Sequence, residues 1–358
     1  MRRLRVALIG SARFPIAEPF AGGLEAHIWL LATGLRRRGH EVTLFAGPGS
    51  DPRLGVECLD LRRPQVSAAA RADVSMCAPE WLDEHHAYLD LMMRLSRTGG
   101  DHDVIHNHSL HHLPIAMAAA LPIPVLSTLH TPPTAWLESA IQVGGSSAGD
   151  FAAVSGSTAR AWSHLLPGLP VVPNGIDVSR WTPGAGGGPL VWSGRIAPEK
   201  GTHLAIEAAR LASEPLLVAG PVVDRRYFED EVRPLLGYPG IEYLGHLEHR
   251  ELAPLVGAAA ATLVTPCWDE PYGLVVAESM AAGTPVCGFR QGALPELVGR
   301  RGGVLVQPGD FAALARAIRH VRSLDRATVR RHAVEHCSLE LMVERYEDVY
   351  LQMCAVAA

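Results

Sequence analysis

Two stretches in the second half of the sequence carry charged residues at spacings that suit phosphate and sugar binding. The segment SGRIAPEKG places Arg195 and Lys200 around a turn, and the segment EPYGLVVAE begins at Glu270 and ends at Glu278. Two cations beside the start of a helix suit a diphosphate, because they add to the free N–H groups found there. A carboxylate in an apolar stretch is costly to bury unless it accepts hydrogen bonds, and the paired hydroxyls of a ribose would supply them.

The turn between the two glutamates also offers backbone N–H groups. Pro271 and Gly273 hold a turn that opens an Ala-rich helix. The amides of Gly273, Leu274 and Val275 therefore lack partners inside that helix, and an anion or a sugar hydroxyl can accept from them. The alternatives are a surface role for the two cations and a capping or salt-bridging role for the two glutamates.

The segment DHDVIHNHSLHH (101–112) places five histidines behind an Asp-x-Asp pair and raises the question of a metal site. His106 and His108 lie two positions apart on a predicted strand and therefore point the same way. His111 and His112 are adjacent, so they would not share a face of the helix expected after that strand. The aspartates stand at the amino end of the strand, and neither Cys nor Glu accompanies the histidines locally. We therefore expect no metal site here.

The elements that carry these residues follow an alternating pattern. Short apolar runs such as LRVALIG alternate with segments of helical spacing such as GGLEAHIWLLATGLRRR. Buried parallel strands covered by helices produce this pattern. The alternation starts again at LVWSG, directly after the Gly- and Pro-rich segment PGAGGGP. The sequence thus predicts two Rossmann-like α/β domains, residues 1–173 and 174–337, facing each other across a cleft.

Two further segments complete the predicted architecture. The run PVVPNGI (170–176) is predicted as the last strand before the second domain. The final residues, 338–358, contain the amphipathic pattern SLELMVERYEDVYLQM, which is typical of a helix beginning at Ser338. Because no strand follows, we expect this helix to pack back on the N-terminal domain.

Composition excludes several classes of protein. The chain has 358 residues, a formal net charge of −5 and 48% hydrophobic residues, so it can bury two cores and offers no positive field for nucleic acid. Its six cysteines show no paired spacing, which predicts reduced thiols, and no apolar run approaches the ~18 residues of a membrane span. We expect a cytoplasmic protein. Arg36, Arg37 and Arg38 suit a helix C-terminus, while peripheral contact with the inner membrane face and the oligomeric state stay open.

Together, these motifs resemble the GT-B glycosyltransferases of glycosyltransferase family 4. The similarity rests on GRIAPEKG, EPYGLVVAES, VVPNGID and GGLEAHIWLLATGLRRRGHEV, with Tyr272 where the family more often has Phe. It implies a GT-B fold and retaining transfer of a hexosyl group from a nucleotide-diphosphate sugar to an acceptor hydroxyl, with no metal and no other cofactor. Family frequency favours UDP, with GDP and ADP as alternatives. The acceptor is open among a lipid, a natural product, a sugar phosphate and a polysaccharide.

The resemblance also implies roles for individual residues. Arg195 and Lys200 would hold the donor diphosphate. Glu270 would hold the hydroxyls of the transferred sugar, Glu278 would hold the ribose, and His130 would lie near the reacting carbon. The residues implied to be catalytic are thus His130, Arg195, Lys200 and Glu270. The other donor-binding residues are Gly22 and Gly23 after the first strand, Gly245, His246 and Leu247 against the base, and Gly273, Leu274 and Val275 at the sugar and phosphate.

Retention of configuration needs either a carboxylate nucleophile or attack from the face of the leaving group. Because the family places Glu270 on sugar hydroxyls, we expect same-face attack with the departing phosphate as base. The alternative functions are a nucleotide-sugar 2-epimerase of the same fold, an NAD-dependent oxidoreductase and a non-catalytic sugar-nucleotide binding module. The oxidoreductase lacks its G-x-G-x-x-G fingerprint after the first strand. The binding module is disfavoured because both carboxylates and both cations are present.

Overall fold

The computed structural model describes residues 2–59, 65–75, 77–98 and 101–356. Within these ranges the chain forms two six-stranded, fully parallel sheets. The first sheet contains β1 (Arg5–Ile9), β2 (Glu41–Ala46), β3 (Val56–Cys58), β4 (Val104–Asn107), β5 (Val125–Leu129) and β6 (Asp150–Ala153). The second contains β7 (Leu190–Ser193), β8 (Leu216–Ala219), β9 (Ile241–Tyr243), β10 (Thr262–Val264), β11 (Val286–Phe289) and β12 (Gly303–Val306).

Helices cover the faces of both sheets. Those of the first half are α1 (Gly23–Arg37), α2 (Ala68–Arg71), α3 (Pro79–Thr98), α4 (Leu113–Ala116), α5 (Ala135–Gly144) and α6 (Gly156–Ala161). Those of the second half are α7 (Thr202–Ala212), α8 (Arg225–Tyr227), α9 (His249–Ala258), α10 (Leu274–Ala281), α11 (Leu294–Val298), α12 (Phe311–Val321), α13 (Arg326–Cys337) and α14 (Leu339–Val356).

The two sheets share one topology. The first has the order β3-β2-β1-β4-β5-β6, and the second, written from β9, has the equivalent order β9-β8-β7-β10-β11-β12. The central strands are apolar and buried: in β1, Val6 pairs with Val42 on one side and Val104 on the other. Each sheet therefore reverses its order once, between β1 and β4 or between β7 and β10. In open parallel sheets, ligands bind beyond the carboxyl ends of the strands at such a reversal. The predicted two-domain α/β fold is confirmed.

The last helix packs on the N-terminal sheet, as predicted. Tyr346 and Tyr350 of α14 are fully buried in one core with Leu4 and Val6. Glu347 is 1% exposed and accepts hydrogen bonds from Arg38 at 2.6 Å and from His40 at 2.7 Å. Removing one partner from such a buried group is destabilising, so this pairing fixes α14 to the end of α1.

The chain passes between the domains at two adjacent places. Ile176 donates to the carbonyl of Cys337 at 2.8 Å and accepts from Leu339 at 2.9 Å. Gly175 lies so close to the returning chain that a Cβ there would stand 2.7 Å from the carbonyl oxygen of Ser338. Only glycine fits such an approach. The boundary between residues 173 and 174 stays a prediction, since the two crossings form one joint.

Several local predictions were wrong. The run PVVPNGI is not a strand: Val171 makes only an isolated bridge to Ala153, and proline, which lacks an N–H group, interrupts the run. The sequence also predicts one helix near 225–236, but the chain there forms a short α-helix followed by π and 3-10 turns. His111 and His112 do not lie on a helix at all, because α4 begins after them at Leu113. Sequence reasoning also missed α3, a helix of 20 residues.

In the ranges described above, none of the helices combines the length and the apolar character that crossing a bilayer requires. The three arginines at the end of α1 find partners within the protein. Arg36 donates to the carbonyl of Val42, and Arg37 pairs with Asp177 at 3.3 Å. With Arg38 on Glu347, these contacts match the expected role of cations at a helix C-terminus.

Candidate active site in the interdomain cleft

A cavity of about 520 Å³ lies between the carboxyl ends of the two sheets. Its lining includes Ser11 after β1, His130 after β5, Gly194 after β7 and Thr265 after β10. These residues come from the point where each sheet reverses its order, the position at which open α/β sheets bind ligands. The cavity is therefore where the predicted site residues should meet.

The two predicted cations both line the cavity, and each pairs with a carboxylate of its own domain. Lys200 Nζ lies 2.5 Å from Glu270 Oε2 and 5.3 Å from the centre of the Trp268 ring, whose N–H also donates to Glu270 at 3.1 Å. Arg195 contacts Glu199 at 3.5 Å. A diphosphate entering the cavity would meet two cations that the fold already holds in its lining.

The start of α10 faces the same cavity. Gly273 has φ = +93°, a backbone conformation that favours glycine, and it turns the chain into the helix. Leu274 and Val275 follow it in the cavity lining, so the unpaired amides of the first turn are available to an anion.

Glu278 lies four residues into α10 and also lines the cavity. Burial raises its pKa to about 7, and Arg180 opposes that shift. Among the residues that the structure describes, no donor pairs with the Glu278 carboxylate. A half-buried carboxylate without a protein donor has lost part of its hydration, and a ligand with hydroxyl groups would supply the missing hydrogen bonds.

The predicted glycines of the opposite domain approach these residues closely. A Cβ on Gly22 would lie 3.7 Å from the Arg195 side chain, and a Cβ on Gly23 would lie 3.4 Å from Leu274. Glu25, at the start of α1, is 4% exposed, and burial raises its pKa while the nearby Arg195 lowers it. Sequence reasoning missed Glu25, although its place two residues after the glycine pair was a signal.

Only part of the segment predicted to contact the base lines the cavity. His246 and Leu247 line the cavity, whereas Gly245 stands just behind them with φ = +79°. The Gly245 carbonyl accepts from the Gly220 amide at 2.8 Å. Gly245 therefore shapes the turn that presents its two neighbours and does not itself line the cavity.

Histidines from three elements converge at the base of the N-terminal side. His106 and His108 of the β4 segment lie with ring centroids 3.8 Å apart, as expected from their spacing. His108 Nδ1 lies 3.0 Å from Nε2 of His130, and His27 of α1 lies 5.0 Å from His108 and 4.9 Å from His130. Burial holds the pKa of His130 well below its usual range and lowers that of His27 to about 3. These rings are therefore neutral near pH 7.

The local search for metal ligands in the sequence missed His27, which folding brings from about 80 residues away. His27, His108 and His130 offer nitrogens within 4.8 Å of one another, and so do His85, His111 and His112. The adjacent His111 and His112 were predicted to point apart, yet their rings stack 4.3 Å apart. They can do so because they occupy the turn before α4 and not the helix.

The hydrogen bonds of these rings limit what they can bind. A neutral imidazole has one N–H and one lone pair, so a hydrogen bond at one nitrogen fixes the role of the other. In the His108–His130 pair, one ring donates and the other accepts. The donating ring has its lone pair on the nitrogen outside the hydrogen bond, whereas the accepting ring has its proton on that nitrogen. His111 Nδ1 accepts from the Leu113 amide at 3.2 Å, so its Nε2 carries the proton. Each triad thus presents at most two metal-binding lone pairs.

The sequence matches known families over most of its length. The sequence profile of Glycosyltransferase Family 4 matches residues 21–180, and that of Glycosyl transferases group 1 matches residues 188–323. Glycogen synthase of Mycobacterium tuberculosis is 30% identical over 353 aligned residues, covering 87% of this chain and 84% of that protein. MMP alpha-(1->4)-mannosyltransferase of Mycolicibacterium hassiacum is 27% identical and covers 99% of this chain and 100% of its own length.

Solved structures share the whole architecture. Sucrose-phosphate synthase from Thermosynechococcus elongatus superposes with a TM-score of 0.76 at 22% identity, covering 99% of this chain and 100% of that one. HepE from Anabaena, solved in complex with UDP-glucose, gives a TM-score of 0.74 at 16% identity, with coverage of 98% and 100%. At these identities the likeness concerns the GT-B fold alone. The profile matches and the mycobacterial relative add the family: the chain belongs to glycosyltransferase family 4 and is a glycosyltransferase that uses a nucleotide-sugar donor.

Proposed function

We propose that the protein is a retaining glycosyltransferase that moves a hexosyl group from a UDP-sugar to an acceptor hydroxyl, without a metal ion and by same-face attack. The observation that carries the proposal is the convergence of Arg195, Lys200 and the first turn of α10 on one cavity. Two cations and a set of free amides match the two negative charges of a nucleotide diphosphate.

Each part of the donor has a matching group. The diphosphate suits Arg195, Lys200 and the amides of residues 273–275, while Gly22 and Gly23 leave room for it on the opposite side. The ribose suits Glu278, because two hydroxyls can donate to a carboxylate that has no donor of its own. The hydroxyls of the transferred sugar suit Glu270, and the base suits His246 and Leu247.

The chemistry follows from where charge develops. The bond between the anomeric carbon and the diphosphate oxygen breaks, and the electron pair leaves with the diphosphate. The fixed cations stabilise that charge without reorganising. The acceptor oxygen then forms its bond on the same face, and its proton passes to a departing phosphate oxygen. The contact of Glu270 with Lys200 at 2.5 Å supports a binding role for this carboxylate over a nucleophilic one.

His130 is proposed to lie beside the anomeric carbon, as the only histidine predicted to be catalytic. Its pKa is held well below the usual range by burial, so the ring is neutral while positive charge builds on the sugar. A neutral ring avoids the repulsion that an imidazolium would exert there. The walls of the cleft would exclude the water that hydrolyses the donor.

Independence from metal is supported by the chemistry of the site. The diphosphate charge is matched by two cations of the protein, and the hydrogen bond between His108 and His130 occupies one of the three lone pairs that a catalytic zinc site would use. UDP and a hexosyl group are supported by the UDP-glucose complex of HepE. The proteins named in these comparisons are transferases and synthases, which favours transfer over epimerisation or simple binding. We also propose a cytoplasmic location, where such donors are available.

The test is a panel of UDP-, GDP- and ADP-sugars incubated with candidate acceptors, with released nucleotide and anomeric configuration as readouts. The expected result is release of UDP with retention. Arg195→Ala should lower turnover by roughly 10²-fold, the scale for losing one preorganised donor. Arg226→Ala, an exposed arginine of α8 outside the cavity lining, is the matched control. Equal turnover in both variants would contradict the proposal, as would inversion at the anomeric carbon.

A further inference from the structure

Four rings stack in a column that runs from the core of the N-terminal domain to the cleft. Tyr88 and His111 have centroids 4.8 Å apart, His111 and His112 are 4.3 Å apart, and His112 and Trp136 are 5.0 Å apart. The interplanar angles of these three contacts are 28°, 26° and 22°. We call Tyr88, His111, His112 and Trp136 the aromatic column.

The inner end of the aromatic column is fixed by hydrogen bonds. Tyr88 is 1% exposed, donates to the Gly10 carbonyl at 2.8 Å and accepts from the Ala12 amide at 3.0 Å. His111 is 6% exposed and accepts from the Leu113 amide. A ring whose position is set in this way loses little freedom when a ligand packs on its outer end.

The outer end of the aromatic column is open to the cleft. Trp136 stands in the first turn of α5, lines the cavity and is 58% exposed. Phe14 and Leu110 line the same side and are 43% and 49% exposed. Single exposed apolar side chains are common, but three around one cavity form a surface that a ligand can cover.

The rings and apolar side chains of this surface are uncharged. Burial lowers the pKa of His111 to about 3 and also lowers that of His112. The nearby cation, Arg13, is already paired with Glu84 at 2.7 Å. The other cations in the described lining, Arg195 and Lys200, belong to the opposite domain. A phosphorylated acceptor would therefore find no unpaired positive charge here, whereas the CH face of a sugar ring packs well on an indole.

We propose that the exposed face of Trp136 is the acceptor subsite and that the acceptor presents an uncharged sugar ring to it. This inference rests on the proposed transfer reaction and narrows its acceptor to a neutral carbohydrate. The aromatic column positions the indole, and the sugar stacks on its outer face with a hydroxyl directed at the donor. Lipid, aromatic and phosphorylated acceptors are the classes that this assignment rejects.

The test measures binding before turnover. Maltotriose, trehalose, glucose 6-phosphate and 4-nitrophenol are titrated into the UDP-saturated protein, with tryptophan fluorescence and calorimetry as readouts. We expect a neutral sugar to bind the wild type, to bind about tenfold more weakly or worse to Trp136→Ala, and to retain most affinity for Trp136→Phe. Val143→Ala changes an 85% exposed residue of the same helix and should have no effect.

The kinetic counterpart is the KM for the acceptor, which should rise in Trp136→Ala while the Kd for the donor stays unchanged. The inference is overturned if only glucose 6-phosphate or 4-nitrophenol binds, or if Trp136→Ala and Val143→Ala bind neutral sugars alike. Failure of the proposed function gives a different pattern: no UDP-sugar binds or is turned over, while sugar binding at Trp136 persists. His111→Asn, which keeps an acceptor for the Leu113 amide, separates loss of the aromatic column from misfolding of the turn.

Discussion

The two sides of the cleft are built from opposite kinds of side chain. The charged wall belongs to the C-terminal domain and consists of Arg195, Lys200, Glu270 and Glu278. What we call the neutral wall is the set of rings on the N-terminal domain, among them His130 and those of the aromatic column, which are uncharged near pH 7; Arg13, Glu18, Glu25 and Glu84 of that domain also line the cavity. Both walls stand at the same point of the same sheet topology. The fold therefore determines where the two walls lie, and the side chains of each wall determine what that wall can bind.

In the proposed reaction, the difference corresponds to the two halves of the transfer. Breaking the donor bond develops negative charge on a diphosphate, so the wall beside it needs fixed cations. An acceptor hydroxyl is neutral until it attacks, so the wall beside it needs shape and apolar surface more than charge. Separating these tasks on two domains also lets the donor wall stay constant while the acceptor wall varies.

The largest expected effect concerns Lys200. It is the only lysine in the sequence. Every other basic side chain that is permanently charged is an arginine, so the compact ammonium is specific to this place. Arginine is planar and bulkier than the ammonium that contacts Glu270 and Trp268 here, so the two cations are not interchangeable at this place. We expect both Lys200→Ala and Lys200→Arg to lower kcat/KM by roughly 10²-fold or more.

The single lysine also allows a chemical test. An amine-selective reagent can modify only Lys200 and the terminal amine, so peptide mapping can follow one site. Bound UDP-sugar should slow modification of Lys200 and leave modification of the terminus unchanged. Full activity in Lys200→Arg, or modification of Lys200 at an unaltered rate in the presence of UDP-sugar, would show that this lysine does not bind the donor.

The second effect tests the joint that holds the two walls in register. A Cβ on Gly175 would stand 2.7 Å from the Ser338 carbonyl and 2.8 Å from Met342 Cβ. Gly175→Ala should therefore cost about 1–3 kcal/mol of stability, measured by denaturant unfolding, and should lower transfer by misaligning the walls. Gly237→Ala is the control, because a Cβ there meets nothing within 4 Å. Equal stability of the two variants would show that the two chain segments at this crossing can move apart to admit a Cβ at no cost.

The third effect is a pH dependence confined to the charged wall. Burial raises the pKa of Glu278 to about 7 from its usual 4.5. Only the ionised form accepts two ribose hydroxyls, so affinity for a UDP-sugar should rise about tenfold between pH 6 and pH 8. Glu278→Gln should bind more weakly and lose this dependence, as measured by calorimetry at both pH values.

The same group has the opposite effect on stability. Because the folded protein holds the Glu278 proton more tightly than the unfolded chain does, wild-type stability falls as the pH rises from about 4.5 to 7. Glu278→Gln should therefore have the higher Tm at pH 8 and a similar Tm at pH 4. A variant that is less stable than the wild type at pH 8 would indicate that the carboxylate has a partner in the free protein.

The comparison of walls also explains what the sequence could predict. Arg195 and Lys200 stand on one turn, Glu270 precedes α10 and Glu278 lies within it, so two short motifs contain the charged wall. The buried strands and α14 followed from apolar periodicity. The neutral wall gave no such signal, because Tyr88, His111 and Trp136 come from three separate elements. Their spacing along the chain has no regularity, and only folding stacks them.

The same reason accounts for the local errors. PVVPNGI has the apolar content of a strand, but proline cannot donate to a ladder, so the segment makes only two isolated bridges, at Val171 and at Ile176. His27 lies far from the histidine segment in the sequence, and only folding brings it beside His108 and His130. The boundaries of elements depend on caps and turns, and those of residues 225–237 break into three helical types that periodicity does not separate.

The smallest expected effect is the response to metal ions, and it tests the neutral wall. His108 and His130 share one hydrogen bond, so at most one of them can offer a lone pair beside His27. In the second triad, His111 carries its proton on Nε2 because Leu113 donates to Nδ1. We expect EDTA to leave kcat unchanged and calorimetry with Zn²⁺ to show no stoichiometric binding at micromolar concentration. Tight binding that His27→Phe abolishes would mean that the shared hydrogen bond opens, and the neutral wall would then hold a cation.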